Sequence, residues 1–227
     1  MENLEIIKKG LLVNMSNYKY VLFDLDGTLI NTAEGIRNSF IYAFNKMNME
    51  IPPENELISF MGPPLEHTFF NKGLIGDDIV KAVALFRENY RNTGIYECKV
   101  FDGIEHVLKK LKEAGKILIV TTSKVQYFAE QILRDNNISE YFDYVCGNDI
   151  SSGRDSKTKV IEYAFEVAKI KNKDEVIIIG DTKYDIEGAK NTGIKSVGAF
   201  YGYGEKSDLE KADFTVDTAY NILDIVL

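Results

Sequence analysis

Four short clusters of polar residues hold the chemistry this sequence could perform. The first, Asp24-Leu25-Asp26-Gly27-Thr28, closes the apolar run YVLFDLD. The second is Thr122-Ser123-Lys124, directly after ILIVT, and the third is Ser156-Lys157 at the start of TKVIEYAFEVA. The fourth is Gly180-Asp181, ending EVIIIGD, with Asp185 four residues on. Each has a plain structural reading: Asp and Gly form turns, and hydroxyls at a strand-to-helix junction cap helices. Lys157 resists such a reading, because a lysine in a first helical turn opposes the helix dipole. Taken together the plain readings fail. Asp24, Asp26, Asp181 and Asp185 at one place could not stay ionised unaided. A hard divalent cation with oxygen ligands solves that problem, and Mg2+ is the usual choice beside a phosphate. Lys157 adds a second positive charge and Thr122 a hydroxyl donor. Acids, a metal, a lysine and free backbone amides make a site for phosphoryl transfer.

The elements that must position these groups follow from the apolar pattern. Runs at 20–26, 116–122, 144–147, 175–181 and 195–199 are continuous rather than alternating, which predicts strands buried on both faces of a parallel sheet. Helical spacing lies between them, as in Ile104, Val107, Leu108 and Leu111, or Val160, Ile161, Ala164, Phe165 and Ala168. Alternating strand and helix predicts an α/β fold, a doubly wound, Rossmann-like parallel sheet whose sites form beyond the carboxyl ends of the strands. Residues 32–99 break the alternation. They offer helices at 33–48 and 77–91 with a turn-rich piece (IPPE, MGPPLE) between, and read as an inserted all-helical cap. The expected organisation is an α/β core of 18–31 and 100–227, a helical cap of 32–99, and an N-terminal extension of 1–17. Met15 is a second candidate start, and the residues before it carry no chemistry. Phe40, Tyr42, Phe44, Phe60, Phe69 and Phe70 are expected mostly to form the cap's own core.

The 227 residues suffice for a sizeable core, and 45% hydrophobic with 27% charged residues is a globular composition. A net charge of −8 argues against a nucleic-acid polymer or an anionic membrane as partner. Cys98 and Cys146 are too few for a disulfide framework and read as core thiols. No apolar run reaches a membrane span, and the first residues lack a signal-peptide pattern, so a cytoplasmic protein is expected. With only His67 and His106 available, a histidine-based metal site or triad has little support. His67, Arg37 and Arg154 could touch substrate, although solvated surface positions explain them more simply.

The motifs DLDGT, TSK, SK and GDTKYD, in this order, resemble the four motifs of the haloacid dehalogenase superfamily. The likeness runs from about residue 18 to near the end. The insert is similar to the helical cap of the phosphoglycolate phosphatase and 5′-nucleotidase branch, as are MGPPLE, SKTKVIEYA and GYGEKSDLEKADFTVD. Asn31-Thr32 departs from the Asp-Ser of many relatives. Thr121 and Thr122 both compete for the second motif, and the spacing to Lys124 favours Thr122. The resemblance implies that Asp24 attacks phosphorus and forms an aspartyl-phosphate. It implies Asp26 as the acid that protonates the leaving alcohol and then the base that activates water. Mg2+ would be held by the Asp24 carboxylate, the Asp26 backbone carbonyl and Asp181, with Asp185 behind them or on a water. Thr122, Lys157 and the amides near Leu25, Asp26 and Ser123 would hold the phosphoryl oxygens. The implied partner is a small phosphorylated metabolite, phosphoglycolate or a 5′-nucleotide, bound by a monomer or homodimer. A sugar-phosphate mutase shares every core residue and is the closest rival. A receiver-like signalling module would need neither the cap nor Asp26, and a dehalogenase neither Asp26 nor Mg2+.

Overall fold

The computed structural model describes residues 18–61 and 63–227. The N-terminal extension, with Met15, lies outside the described residues. Along the chain, β1 (Tyr20–Phe23) is followed by β2 (Ile30–Asn31) and four helices: α1 (Ala33–Lys46), α2 (Glu54–Ser59), α3 (Leu65–Asn71) and α4 (Asp77–Asn92). After β3 (Lys99–Val100) helix and strand alternate: α5 (Ile104–Glu113), β4 (Ile117–Val125), α6 (Gln126–Asp135), β5 (Tyr144–Asn148), α7 (Lys157–Val167), β6 (Val176–Gly180), α8 (Lys183–Thr192) and β7 (Lys195–Ala199). The chain ends with α9 (Lys206–Leu209), β8 (Phe214–Val216) and α10 (Ile222–Val226).

Six strands form one parallel sheet in the order β5-β4-β1-β6-β7-β8, the doubly wound α/β arrangement expected. The continuous apolar runs are explained by cover on both faces. Val21 and Phe23 pack with α5, α6 and α10, whereas Tyr20 and Leu22 pack with α7 and α8. β1 lies between β4 and β6, so Asp24 leaves the sheet at its middle, among the tips of three buried strands. The sequence pattern missed β8, a three-residue edge strand too short to show a period.

β4 runs three residues past its expected end and reaches Val125, with a register shift against β5 between Thr121 and Val125. Such an irregularity lifts residues out of the ladder and re-aims them, and Thr122, Ser123 and Lys124 occupy this step.

The helical segment packs around its own apolar centre. Phe40 lies 4.7 Å from Phe86, 5.0 Å from Phe60 and 5.4 Å from Phe69, ring centre to ring centre. Tyr42 and Phe70, expected in this centre, are outside it: Phe70 is 58% exposed, and the Tyr42 hydroxyl meets Glu88 at 3.2 Å. The turn-rich piece contains two short helices, α2 and α3. Pro53 and Pro64 stand at their starts, where proline costs a helix nothing. The chain enters and leaves the segment through a two-stranded antiparallel ribbon, Ile30 opposite Val100 and Asn31 opposite Lys99. Among the described residues, no helix is long and apolar enough to cross a membrane.

Candidate active site

Asp24 is the first residue after β1, buried to 7% exposure, with its amide donating to the Ile179 carbonyl at 2.9 Å. Its carboxylate faces Lys157, the first residue of α7, whose amino group lies 2.5 Å from Asp24 Oδ1. The same ammonium donates to the Thr121 carbonyl at 2.8 Å and stands 2.7 Å from Asp185 Oδ1. Its position is set from both sides: Ser156 caps α7 by accepting from the Lys159 amide, and Gly188 of α8 leaves room for the lysine stem. Burial alone would lower the Lys157 ammonium. Asp185 and Asp24 outweigh that effect and hold it above the ordinary lysine range.

Asp181 follows β6 and is fully buried. Its two oxygens accept from the Thr28 hydroxyl at 3.0 Å and the Tyr203 amide at 2.8 Å. Glycines let the backbone close around it. A Cβ on Gly27, whose φ is +83°, would stand 2.0 Å from Asp181 Oδ2, and one on Gly202 2.2 Å from Asp181 Cβ. Asp185, also fully buried, spends Oδ2 on the Thr182 amide (3.0 Å) and hydroxyl (2.7 Å) at the start of α8. Its Oδ1 makes a charge contact with Lys157 but no well-angled hydrogen bond.

Asp24, Asp181 and Asp185 can each place one oxygen within 4.8 Å of the others. Burial, with Asp185 and Asp26 adding to it, pushes Asp24 up to about 7 despite Lys157. Burial and the charges of Asp24 and Asp185 likewise raise Asp181 well above the carboxylate range. Three carboxylates against one ammonium leave a deficit of two charges, and the oxygen donors converge. The cluster therefore fits a divalent metal ion.

Asp26 stands apart from this cluster. Its Oδ2 is 3.1 Å from the Lys124 ammonium, which also donates to the Tyr90 hydroxyl at 2.8 Å. Its Oδ1 is buried without a hydrogen-bond partner among the described residues. Asp24, Asp26, Thr122, Ser123 and Lys157 share a cavity of about 190 Å³ with Lys124 and Tyr203. Thr122 lines this cavity and Thr121 does not; Thr122 Oγ1 accepts from the Lys124 amide at 3.1 Å. The Leu25 side chain is fully buried in the main core, so only its backbone could serve a ligand. Sequence reasoning thus collected the acids and Lys157, but gave Thr28 and Lys124 no role and missed Tyr90 and Tyr203. Alternating glycines in Tyr201-Gly202-Tyr203-Gly204 were a readable sign of close backbone approach; nothing local marked Tyr90.

A second cleft of about 490 Å³ adjoins the cavity through Thr182, Tyr184 and Tyr203, with Pro64 and His67 of the helical segment opposite. His67 is therefore beside the site, whereas His106 packs near Tyr220. Arg37 pairs with Glu54, and Arg154 pairs with Asp149 and stacks on Tyr163, so both have structural partners away from the acids. Cys98 and Cys146 are free thiols, and burial pushes Cys146 up to about 12.

The family model for haloacid dehalogenase-like hydrolases matches residues 21–199. The tyrosine-protein kinase PtkA of Mycobacterium tuberculosis is 35% identical over 199 residues, spanning 87% of this chain and 67% of the relative. A 5′-nucleotidase of Pseudomonas aeruginosa is 34% identical over 193 residues, 85% of this chain and 87% of the relative. The solved structure of a haloacid dehalogenase-like family hydrolase from Streptococcus pneumoniae superposes with a TM-score of 0.88 at 33% identity, covering 94% of this chain and all of that one. Motifs, sheet order and these likenesses agree: the chain belongs to the haloacid dehalogenase-like hydrolases.

Proposed function

We propose that the chain is a Mg2+-dependent phosphatase of small phosphomonoesters that works through an aspartyl-phosphate on Asp24. The observation that carries this reading is the Lys157 ammonium, 2.5 Å from Asp24 and 2.7 Å from Asp185 inside a buried triad of acids. Asp24 attacks phosphorus, a bond forms from its carboxylate oxygen, and the bond to the ester oxygen breaks. Asp26 gives its proton to the departing alkoxide and takes one from the water that then attacks the phosphoryl group. Cleavage of the bond to Asp24 releases phosphate, with Asp26 protonated again. Lys157, Thr122 and the backbone around Leu25, Asp26 and Ser123 hold the phosphoryl oxygens. Asp24, Asp181, Asp185 and the Asp26 carbonyl would hold Mg2+, which supplies charge neutralisation at those oxygens.

Residues 32–99 serve as a lid in this reading, and the 490 Å³ cleft takes the leaving group. Enclosure of that kind suits a metabolite rather than a polymer. Phosphoglycolate and a 5′-nucleotide are the two candidates. The test is kcat/KM with Mg2+ over 2-phosphoglycolate, nucleoside monophosphates, a hexose bisphosphate and a phosphotyrosyl peptide, repeated in excess chelator. Hydrolysis of one small ester class that chelation abolishes and Mg2+ restores is the expected result. Preference for the peptide, isomerisation of the bisphosphate or full activity in chelator would each overturn it.

A further inference from the structure

Two oxygens of one carboxylate meet different surroundings at Asp26. Oδ2 is held at 3.1 Å by Lys124, while Oδ1 is buried, has no partner among the described residues and belongs to a side chain that borders the cavity. An ammonium pinned on one oxygen leaves the other as the place for a transferable proton. Lys124 is itself restrained. Its charge lies 2.8 Å from the Tyr90 hydroxyl and 4.7 Å from the centre of the Tyr90 ring. A long flexible lysine loses rotamer freedom only where such contacts hold it.

Tyr90 comes from elsewhere in the fold. It lies in the last turn of α4, stacks on Phe86 at 5.9 Å with an interplanar angle of 7°, and packs against both the helical segment's core and the sheet's core. The helical segment therefore contributes one hydroxyl to a chain of contacts that ends on Asp26. We infer that Tyr90 is a positioning residue which, by fixing Lys124, orients the Asp26 carboxyl toward the ester oxygen, so that proton delivery depends on the helical segment being seated on the sheet. This inference rests on the phosphatase reading above. It adds a role for α4 in the chemical step, beyond enclosing the substrate.

Leaving groups separate this role from a structural one. A p-nitrophenolate departs without a proton, whereas the alkoxide of an alkyl phosphate needs one, and kcat/KM reports the step in which it leaves. Tyr90→Phe keeps the stacked ring and removes the hydroxyl. It should lower kcat/KM for the preferred alkyl phosphate roughly 10-fold, a fraction of what a general acid supplies. For p-nitrophenyl phosphate kcat/KM should change less than about 2-fold, and KM for the alkyl ester should barely move. Lys124→Met should show the same selectivity, and adding Tyr90→Phe to it should cost nothing further, since both act through one contact. Equal losses on the two esters, or additive losses in the double variant, would overturn the inference. Asp26→Asn is the control: if it loses both esters alike, the acid role of Asp26 fails and the inference falls with it. A selective Asp26→Asn beside an unselective Tyr90→Phe overturns the Tyr90 role alone.

Discussion

The sheet edge and the helical segment bury polar groups in opposite ways. Around the tips of β1, β4 and β6 the fold buries four ionisable side chains, Lys157 paired with Asp24 and Asp185, and Asp181 within 4.8 Å of the other two acids. Among the described residues of 33–96 the buried polar side chains are Ser39 and Thr68, and both hydroxyls are directed at carbonyls one helical turn back. The rest of that interior is apolar, a set of phenylalanines in mutual contact filled out by Ala43, Leu57, Ala82 and Val83. One region accepts a cost in desolvation to gather charge; the other gains stability from apolar area. Substitutions at the edge should therefore change chemistry with small effects on folding, and substitutions in the helical core should do the reverse.

The sharpest break of this contrast is Asp24→Asn. Turnover should fall by roughly 10³-fold or more, because the amide does not attack phosphorus, while circular dichroism and the unfolding midpoint stay native-like. Retained activity of a few per cent would remove Asp24 from the nucleophile's place. Phe40→Ala tests the other side. A fully buried ring that meets four others should cost about 3–5 kcal/mol in denaturant unfolding. A loss near zero would mean that the phenylalanine cluster does not hold the segment together. Lys157→Met keeps the stem and removes the charge, and should lower kcat roughly 10²–10³-fold, the scale for loss of one preorganised donor. Wild-type rates would reduce the lysine to packing.

The smallest effect concerns pH. Folding raises the Asp24 carboxyl to about 7, so in metal-free protein the folded state binds that proton more tightly than the unfolded chain. Its contribution is fully present below the ordinary carboxylate range and is lost as pH rises through about 7. In chelator, the melting temperature of Asp24→Asn should gain on that of the wild type between about pH 5 and about pH 8. A variant that loses ground on the wild type over this interval would show that the triad is not under charge strain.

Much of the sheet edge was legible because strand burial and chemistry occur in the same short words. YVLFDLD is both a covered strand and two acids at its end; EVIIIGD ends in Asp181 for the same reason. Lys157 could be read because a cation in a first helical turn contradicts the dipole. The unread parts depend on long-range contact. Tyr203 reaches Asn31 and Thr32 across more than 170 positions, and Tyr90 reaches Lys124 across 34. Hydroxyls so placed leave no period or spacing in the sequence. α2 and α3 were hidden because proline marks a turn and a helix start with the same letter.

The paired ribbon of β2 and β3 brings the two ends of the helical segment side by side, at Ile30-Asn31 and Lys99-Val100. A segment with adjacent ends is an exchangeable part: a homologous one can be spliced in at these two points without stretching the sheet. Geometry permits the splice, but the seam sets its terms. The Tyr203 hydroxyl accepts from the Thr32 amide at 2.8 Å and bonds the Asn31 side chain at 3.0 Å, while its own amide holds Asp181. A donor segment that brings a different residue at 31, or no tyrosine at 90, would fold onto a core whose acids have lost a clasp. Grafts designed by surface fit alone should be well folded and slow, and restoring those two positions should recover the rate.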